Sequence, residues 1–215
     1  MVLQKASLSE QIENALKEEI LKGRFAPGEK ISVEALAEEW EVSNTPIRDA
    51  MRRLEKAGML TVKPRRGVYV ATINQQDFQH VFDLRIALEC LAVKTATTQI
   101  PDEQMQSMVE TYQESERRLR ENNDRDYLIT HDHLVHDVIV QYCGNPKLIE
   151  YMQDLHNLSI WAQGTMNARQ PDSFEKALPE HLAIAHALMA RDRNAAEKAL
   201  RLHLENVYQR AQAEW

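Results

Sequence analysis

The stretch VSNTPIRDAMRRL, residues 42–54, decides the fold of the first third of this chain. A tight polar connection, Val42-Ser43-Asn44, is followed by a proline at an early helical position, where its missing N–H costs nothing. Beyond Pro46 the apolar residues recur at helical spacing, and the helix stops at Gly58. Those apolar positions are Ile47, Ala50, Met51 and Leu54. The pattern predicts a helix with one buried face and one exposed basic face.

The segments on either side complete a known plan. Upstream, the sequence predicts a helix capped by Ser7 or Ser9 and then a short helix capped by Ser32. Downstream, two β-like runs at 59–63 and 67–71 are separated by a Pro-Arg-Arg-Gly turn. Two helices, a turn, a third helix and a two-stranded hairpin are the plan of a winged helix-turn-helix.

Charge is unevenly distributed along the 215 residues. The whole chain has 26 basic and 33 acidic residues and a net charge of −7. Residues 1–72 are close to neutral at +1, yet 48–66 within them reach +5, and 73–215 carry −8. Such asymmetry indicates a nucleic-acid module joined to another module, although a solvated charged face would look similar. We expect a DNA-binding domain over 1–72 and a second domain over 73–215.

Composition favours a mostly α protein. Hydrophobic residues make up 43% and charged residues 27%, which argues against a disordered chain. Only 6 glycines and 7 prolines are present, too few for an all-β sandwich. After residue 72 the pattern is helical throughout and predicts an all-α helical bundle. Its helices are expected near 75–98, 102–121, 124–142, 146–164, 173–190 and 192–212.

The chain also shows no sign of export or membrane insertion. No apolar run approaches the ~20 residues of a membrane span, and the first residues lack the apolar core of a signal peptide. Cys90 and Cys143 lie within helix-like apolar patterns, where reduced core thiols are favoured over a lone disulfide. We therefore expect a cytoplasmic protein with no membrane partner.

The third helix and the hairpin tip carry the residues expected to contact DNA. The N-terminal end of a recognition helix reaches base edges in the major groove, and its free N–H groups favour a phosphate. Arginine suits guanine or phosphate, asparagine suits adenine, and a basic hairpin tip can grip the backbone or enter a minor groove. The alternative is a winged helix used for protein contacts. The expected DNA-binding residues are Ser43, Asn44, Thr45, Arg48, Arg52, Arg65, Arg66 and Gly67.

Histidines and one aspartate in the second domain predict a metal site. Asp132 and His136 are four residues apart and would share one helix face, while His181 and His203 lie on two later helices. One carboxylate and three imidazoles suit a divalent transition metal and leave room for water or a substrate carboxylate. Spacing alone leaves the alternative that these are core or surface histidines, because three helices must converge.

The first domain resembles the GntR family of regulators. The resemblance is carried by ILKGRFAPGEKI at 20–31, by residues 42–54 and by the segment from Gly58 to Val70, and it covers roughly 8–72. Two positions depart from the common pattern, because Asn44 and Glu34 stand where arginine is frequent. The resemblance implies DNA binding, and the departures imply an operator that differs from the usual one.

The second domain resembles the ligand-binding domain of FadR-type regulators, called FCD, in its six-helix VanR-like form. DHLVH at 132–136, GNPKL at 144–148, Glu180-His181, His203-Leu204 and LRIALE at 84–89 carry the resemblance over about 76–207. It implies that Asp132, His136, His181 and His203 are metal ligands. Zinc is the expected ion, with nickel, manganese or iron as alternatives. For Arg85 it favours an anchor for an effector carboxylate over the other interpretation, a salt bridge to Glu89.

Together these features predict a ligand-responsive transcription regulator, a repressor, rather than an enzyme. It should bind a near-palindromic operator on double-stranded DNA as a homodimer, because two-fold symmetry presents two recognition helices to two half-sites. A small carboxylate effector would bind in the helical domain. The alternative from another class is a small metalloenzyme with an appended winged-helix domain, in which Glu89 would be the candidate base.

Overall fold

The computed structural model describes residues 7–167 and 172–212. Within these ranges the chain is mostly helical, with one small sheet, which confirms the predicted fold class. The chain divides into two compact units. The first comprises residues 1–74 with 156–165, and the second comprises 75–155 with 166–215. No helix of the described ranges is long and apolar enough to cross a membrane.

Three helices and three short strands form the winged helix-turn-helix of the first unit. Helices α1 and α3 pack against each other, and α2 packs on α3. Leu16 of α1 and Ile47 of α3 are completely buried, and each such side chain contributes about 1.5–3 kcal/mol through its burial. The elements are α1 Leu8–Leu21, β1 Lys30–Ile31, α2 Val33–Glu39, α3 Asn44–Lys56, β2 Leu60–Lys63 and β3 Gly67–Val70.

Side-chain caps start the first two helices. The Ser7 hydroxyl accepts a hydrogen bond from Glu10 N–H, and the Glu10 carboxylate accepts one from Ser7 N–H at 2.7 Å. This reciprocal pair satisfies two N–H groups that the helix itself cannot bond. Ser32 caps α2 by accepting from Ala35 N–H. The structure therefore selects Ser7 over Ser9 as the first cap and confirms Ser32 as the second.

The wing is a three-stranded antiparallel sheet in the order β1-β3-β2. Strand β3 pairs with β2 across the predicted turn, in which Arg65 has a φ of 61° and Gly67 a φ of 121°. Strand β1 adds a third strand by pairing Lys30 with Tyr69 and Ile31 with Val68. This strand was not predicted, because two residues are too few to show an alternating pattern.

The described residues of the second unit form helices and their connections, with no strand among them. Helix α10 packs along α4 and α9, while α5 packs on α9 and α6, and α7 packs on α4. The Phe78 ring of α4 stacks on the Tyr208 ring of α10 at a centroid distance of 5.9 Å, and the Phe82 ring is tilted against Tyr208 at 6.0 Å. The helices that follow β3 in the chain are α4 Gln75–Gln99, α5 Asp102–Asn122, α6 Arg125–His131, α7 Leu134–Gln141, α8 Pro146–Asn167, α9 Ser173–Met189 and α10 Arg193–Gln212, and residues 156–165 of α8 belong to the first unit. Cys90 and Cys143 are buried free thiols.

The single helix predicted over 124–142 is wrong, because the structure divides it into α6 and α7. The Tyr112 hydroxyl of α5 lies at the break and accepts a hydrogen bond from Val135 N–H at 2.9 Å. It also donates to the Asp132 carbonyl at 3.5 Å. A side chain inserted into the backbone ladder in this way interrupts a helix. Asp132 therefore caps the end of α6, whereas His136 lies in α7, and the two do not share one helix face.

Candidate functional site

Helix α3 presents its N-terminal end and its arginines to solvent. Ser43 stands at the N-cap but makes no side-chain capping hydrogen bond, and the first turn contains no acidic residue. The N–H groups there remain available to an anion such as a DNA phosphate. Ser43, Asn44, Thr45, Arg48 and Arg52 are all exposed. Their placement is that of a recognition helix.

The hairpin tip holds the other basic residues. Arg65 and Arg66 are exposed, and Gly67 is half-buried. The Tyr69 hydroxyl donates to the Arg66 carbonyl at 3.3 Å, and the Lys63 ammonium lies 4.4 Å from the centre of the Tyr69 ring. These two contacts tie the tip to β3. The tip is therefore a fixed basic surface rather than a loose loop.

Three of the four predicted metal ligands converge in the second unit. His136 of α7, His181 of α9 and His203 of α10 are all buried. His203 Nε2 lies 3.2 Å from His136 Nε2 and 3.2 Å from His181 Nε2. The three side chains can each offer a nitrogen atom within 4.8 Å of the others. Three helices thus meet at one point through their imidazoles, as the sequence-based prediction required.

Carboxylates behind two of these rings fix their tautomers. His136 Nδ1 donates to Glu89 Oε2 at 2.5 Å, and His203 Nδ1 donates to Glu180 Oε2 at 2.8 Å. A ring that donates from Nδ1 in its neutral form has a lone pair, not a proton, on Nε2. Carboxylate partners of this kind are typical of histidines that bind metals, because they orient the ring and raise its basicity.

In the neutral form of both rings, the contact between His136 Nε2 and His203 Nε2 brings two lone pairs together. Burial lowers the pKa of His203 to about 4 despite the opposing hydrogen bond to Glu180, so His203 Nε2 carries no proton near pH 7. Burial likewise holds the pKa of His181 well below its usual range. His181 and His203 are therefore neutral near pH 7, which is the form that ligates a metal. The donor set fits a divalent cation.

Asp132 lies beside this cluster, outside the group of three histidines. Its Oδ1 is 3.7 Å from His181 Nδ1, and neither buried atom has a hydrogen-bond partner in the described structure. Burial raises the pKa of Asp132 to about 6, although the charges of His136 and Arg85 oppose the rise. A buried carboxylate with an unsatisfied oxygen is costly unless a cation compensates it. This observation also fits a metal.

Arg85 forms the salt bridge that the sequence left as one of two interpretations. Its side chain is 1% exposed, and Nε donates to Glu89 Oε1 at 2.7 Å. Nη2 lies 3.4 Å from His136 Nδ1, so the guanidinium borders the histidine cluster. Arg85, Glu89 and His136 therefore form one buried chain of contacts.

The supporting roles of Glu89 and Glu180 were not predicted from the sequence. The sequence indicated Glu89 only as a partner of Arg85 or as a candidate base, and Glu180 only as part of a motif. Glu180 accepts from Asn206 Nδ2 at 2.8 Å and from both Nη atoms of Arg210 at 2.8 and 3.0 Å. Burial acts to raise the pKa of Glu180, but the hydrogen bonds with His203 and Arg210 outweigh it and lower the pKa to about 2. The only local signal was the position of Glu180 directly before His181.

A winged helix-turn-helix with an exposed basic recognition helix, followed by a helical domain, defines the chain as a DNA-binding transcription regulator. The family model described as bacterial regulatory proteins of the gntR family matches residues 8–70, and the model of the FCD domain matches residues 80–206. The chain belongs to the GntR family, and its second domain is an FCD domain.

Proteins that are similar over most of this chain are named as transcription regulators. The HTH-type transcriptional regulator YdhC of Bacillus subtilis is 28% identical over 91% of this chain and 87% of its own. The HTH-type transcriptional repressor GlaR of Escherichia coli is 27% identical over 88% of this chain and 89% of its own. The solved structure of E. coli McbR/YncC has a TM-score of 0.81 at 23% identity, covering 98% of this chain and all of that one, so the fold is shared.

Proposed function

We propose that this chain is a ligand-responsive repressor. Residues 1–72 bind a near-palindromic operator, and residues 73–215 bind a divalent metal and a small carboxylate effector and hold a homodimer. The observation that carries the second part is the convergence of three imidazole nitrogens, His203 Nε2 being 3.2 Å from His136 Nε2 and from His181 Nε2. The relative GlaR is named as a repressor, which supports repression rather than activation.

The metal ligands in this proposal are Asp132, His136, His181 and His203. Zinc is the expected ion, with nickel, manganese or iron as alternatives, because imidazole suits all four. When bound, the ion would supply Lewis acidity and open positions for an oxygen ligand. Glu89 and Glu180 hold two of the rings in the ligating tautomer. Asp132 Oδ1, which has no hydrogen-bond partner in the described structure, would be the negatively charged ligand of the ion.

Arg85 is the proposed anchor for the effector. Its guanidinium is buried beside His136 and is already paired with Glu89, so it is held in place before any ligand arrives. A carboxylate could bind the metal with one end and this arginine with another. The effector regulates DNA binding only if its affinity differs between the two states of the protein. Nothing in this scheme requires the effector to be converted.

DNA binding is tested by Arg48→Ala and Arg66→Ala. Duplexes that the parent protein selects from a random library provide the specific probe. We expect Arg48→Ala to cost about 1–3 kcal/mol of binding free energy and to blur discrimination at one base pair. Arg66→Ala should weaken binding to all sequences alike and reduce the salt slope by about 1. Fluorescence anisotropy at several salt concentrations measures both.

Arg53→Ala is the matched control for this experiment. It lies on the same helix, but its guanidinium faces α1, with Nη1 3.4 Å from Glu13 Oε2 and 3.7 Å from Glu10 Oε1. Its removal should leave base discrimination unchanged. If Arg48→Ala bound the selected duplex as tightly as the parent does, the assignment of α3 as the recognition helix would be wrong.

The homodimer is proposed to pair through α4. Leu84 and Leu91 are 54% and 55% exposed and lie two turns apart on one side of this helix. A second copy of the chain would bury this stripe, and the symmetric pair would match a two-fold operator. Leu84→Glu with Leu91→Glu should change the sedimenting species from a dimer to a 24.8 kDa monomer at micromolar concentration.

Met189→Glu on α9 introduces the same charge at another exposed apolar position and should leave the dimer intact. A parent protein that itself sediments as a monomer would contradict the dimer. A double variant that remains dimeric would instead exclude this face of α4 as the interface.

The metalloenzyme alternative loses support from the geometry of its candidate base. Both carboxylate oxygens of Glu89 are engaged, one by Arg85 Nε and the other by His136 Nδ1. Burial acts to raise the pKa of Glu89, but the charges of Arg85 and His136 outweigh it and hold the pKa well below its usual range. A carboxylate this acidic is a poor general base near neutral pH.

A further inference from the structure

Arg48, the central arginine of the recognition helix, is paired with an acidic residue of the neighbouring helix. Its Nη2 lies 3.3 Å from Glu34 Oε1, across the helix-turn-helix. The other carboxylate oxygen, Oε2, accepts from the Ser32 hydroxyl at 3.3 Å. Ser32 therefore orients a carboxylate toward the arginine that faces DNA. Both members of the pair are exposed, at 56% for Arg48 and 70% for Glu34.

The stability of the fold does not account for this arrangement. Exposed ion pairs contribute about 0–1 kcal/mol. On a surface that must approach phosphates, the DNA repels a carboxylate. The carboxylate of Glu34 also pairs with the Arg48 guanidinium, which would otherwise attract the DNA. The neighbouring charges are Arg52, which lies 3.5 Å from Asp49 on the same helix, and Arg65 and Arg66 at the hairpin tip. Glu34 thus weakens general attraction to DNA at the point where bases are to be contacted.

We propose that Glu34 is a specificity-determining residue of the DNA interface. Its carboxylate holds the Arg48 guanidinium in one orientation, so that the remaining N–H groups meet the paired acceptors of a guanine. It also disfavours a contact between Arg48 and the DNA phosphates, which every sequence offers. This inference rests on the proposed role of Arg48 in operator binding.

The chemistry of the two side chains supports this role. Guanidinium has five N–H donors, and a bidentate contact with guanine O6 and N7 uses two of them. A carboxylate can therefore hold other N–H groups while the guanine contact forms. Fixing the side chain beforehand reduces the ordering cost of the correct contact. Specificity is the difference between the affinity for the operator and the affinity for other DNA, and Glu34 acts on both affinities.

The variant Glu34→Gln keeps the size of the side chain and removes its charge. We expect it to bind a random-sequence duplex several-fold more tightly and to show a salt slope steeper by about 1, because Arg48 is free to contact a phosphate. Binding to the selected duplex should change little. The ratio of specific to non-specific affinity should therefore fall several-fold, and the loss should be concentrated at the guanine that Arg48 contacts.

The experiment measures the parent, Glu34→Gln, Arg48→Ala, the double variant and one control variant. The probes are a duplex that the parent selects from a random library, its single base-pair replacements and a random-sequence duplex. Glu38→Gln is the matched control, since Glu38 is exposed one turn further along α2 and its neutralisation removes the same charge. Thermal melting confirms that each variant is folded.

The inference is supported if Glu34→Gln lowers the affinity ratio, Glu38→Gln does not, and the effect disappears in the Arg48→Ala background. It is overturned if the two glutamine variants change all duplexes equally, or if Glu34→Gln acts undiminished without Arg48. If the parent enriches no sequence, or Arg48→Ala binds the selected duplex normally, the proposed DNA-binding role of Arg48 fails instead. These results differ from each other, so the two failures are distinguishable.

Discussion

Replacing His203 with alanine is expected to abolish the divalent-metal binding that we propose for this protein. Its Nε2 is the atom that lies close to both other histidines, and Glu180 holds the ring in the ligating tautomer. A structural zinc site is worth roughly 10–16 kcal/mol in total, so one of four ligands accounts for about 100-fold or more in affinity. Metal analysis of gently purified protein, followed by competition with a chelator, measures the loss.

With His203→Ala, the melting temperature of the protein should no longer depend on metal. An ion that binds only the folded state at 1,000 times its dissociation constant stabilises it by about 4 kcal/mol. Chelation should therefore lower the melting temperature of the parent by several degrees and leave that of His203→Ala unchanged. His186→Ala is the control, because His186 is an exposed histidine on the same helix as His181. Its metal content should equal that of the parent.

The metal proposal would not survive one result. If the parent and His203→Ala retained equally little metal after incubation with zinc, nickel, manganese or iron, the four residues would be buried polar groups of the core. The effector model would then depend on Arg85 alone.

The second large effect is expected from Arg85→Met. This change leaves Glu89 as a buried charge without its arginine, and breaking a buried pair in this way costs about 3–5 kcal/mol. Urea denaturation of the metal-free protein, followed by circular dichroism, should show the loss in the free energy of unfolding. The double variant Arg85→Met with Glu89→Gln should recover part of it, because the buried charge is then removed as well.

A second ion pair with the same spacing provides the control. Arg201 Nη2 lies 3.6 Å from Glu197 Oε1 at i,i+4 on α10, and its side chain is 46% exposed. Arg201→Met should cost less than about 1 kcal/mol, because water screens this pair. Equal costs for Arg85→Met and Arg201→Met would mean that solvent reaches Glu89.

The parts of this fold that were predictable from sequence are those encoded by neighbouring residues. The Ser7 and Ser32 caps, the α3 helix and the hairpin follow from side chains within a few positions of one another. Caps and turns depend on local hydrogen bonds, so a local pattern is sufficient to identify them. The convergence of His136, His181 and His203 is a different case. Their spacing permitted a common site, and the family resemblance was what raised the expectation of one.

What could not be predicted depends on contacts between distant segments. The break between α6 and α7 follows from Tyr112, which lies more than twenty residues before Val135 in the chain. The Tyr112 hydroxyl accepts a hydrogen bond from Val135 N–H. The tautomer of His136 is set by Glu89, 47 positions away. No periodicity within a single helix encodes such partners, because each depends on how helices pack.

The separation of the clustered histidines along the chain has a consequence for the unfolded state. His136 and His203 are 67 positions apart, and His181 and His203 are 22 apart. An ion shared by them closes two nested loops, and the entropic treatment of a cross-link over 67 residues assigns about 4 kcal/mol to the larger one. The cysteines, Cys90 and Cys143, are free and form no such link. Coordination would give this chain a cross-link that, unlike a disulfide, a change in metal supply could make or break.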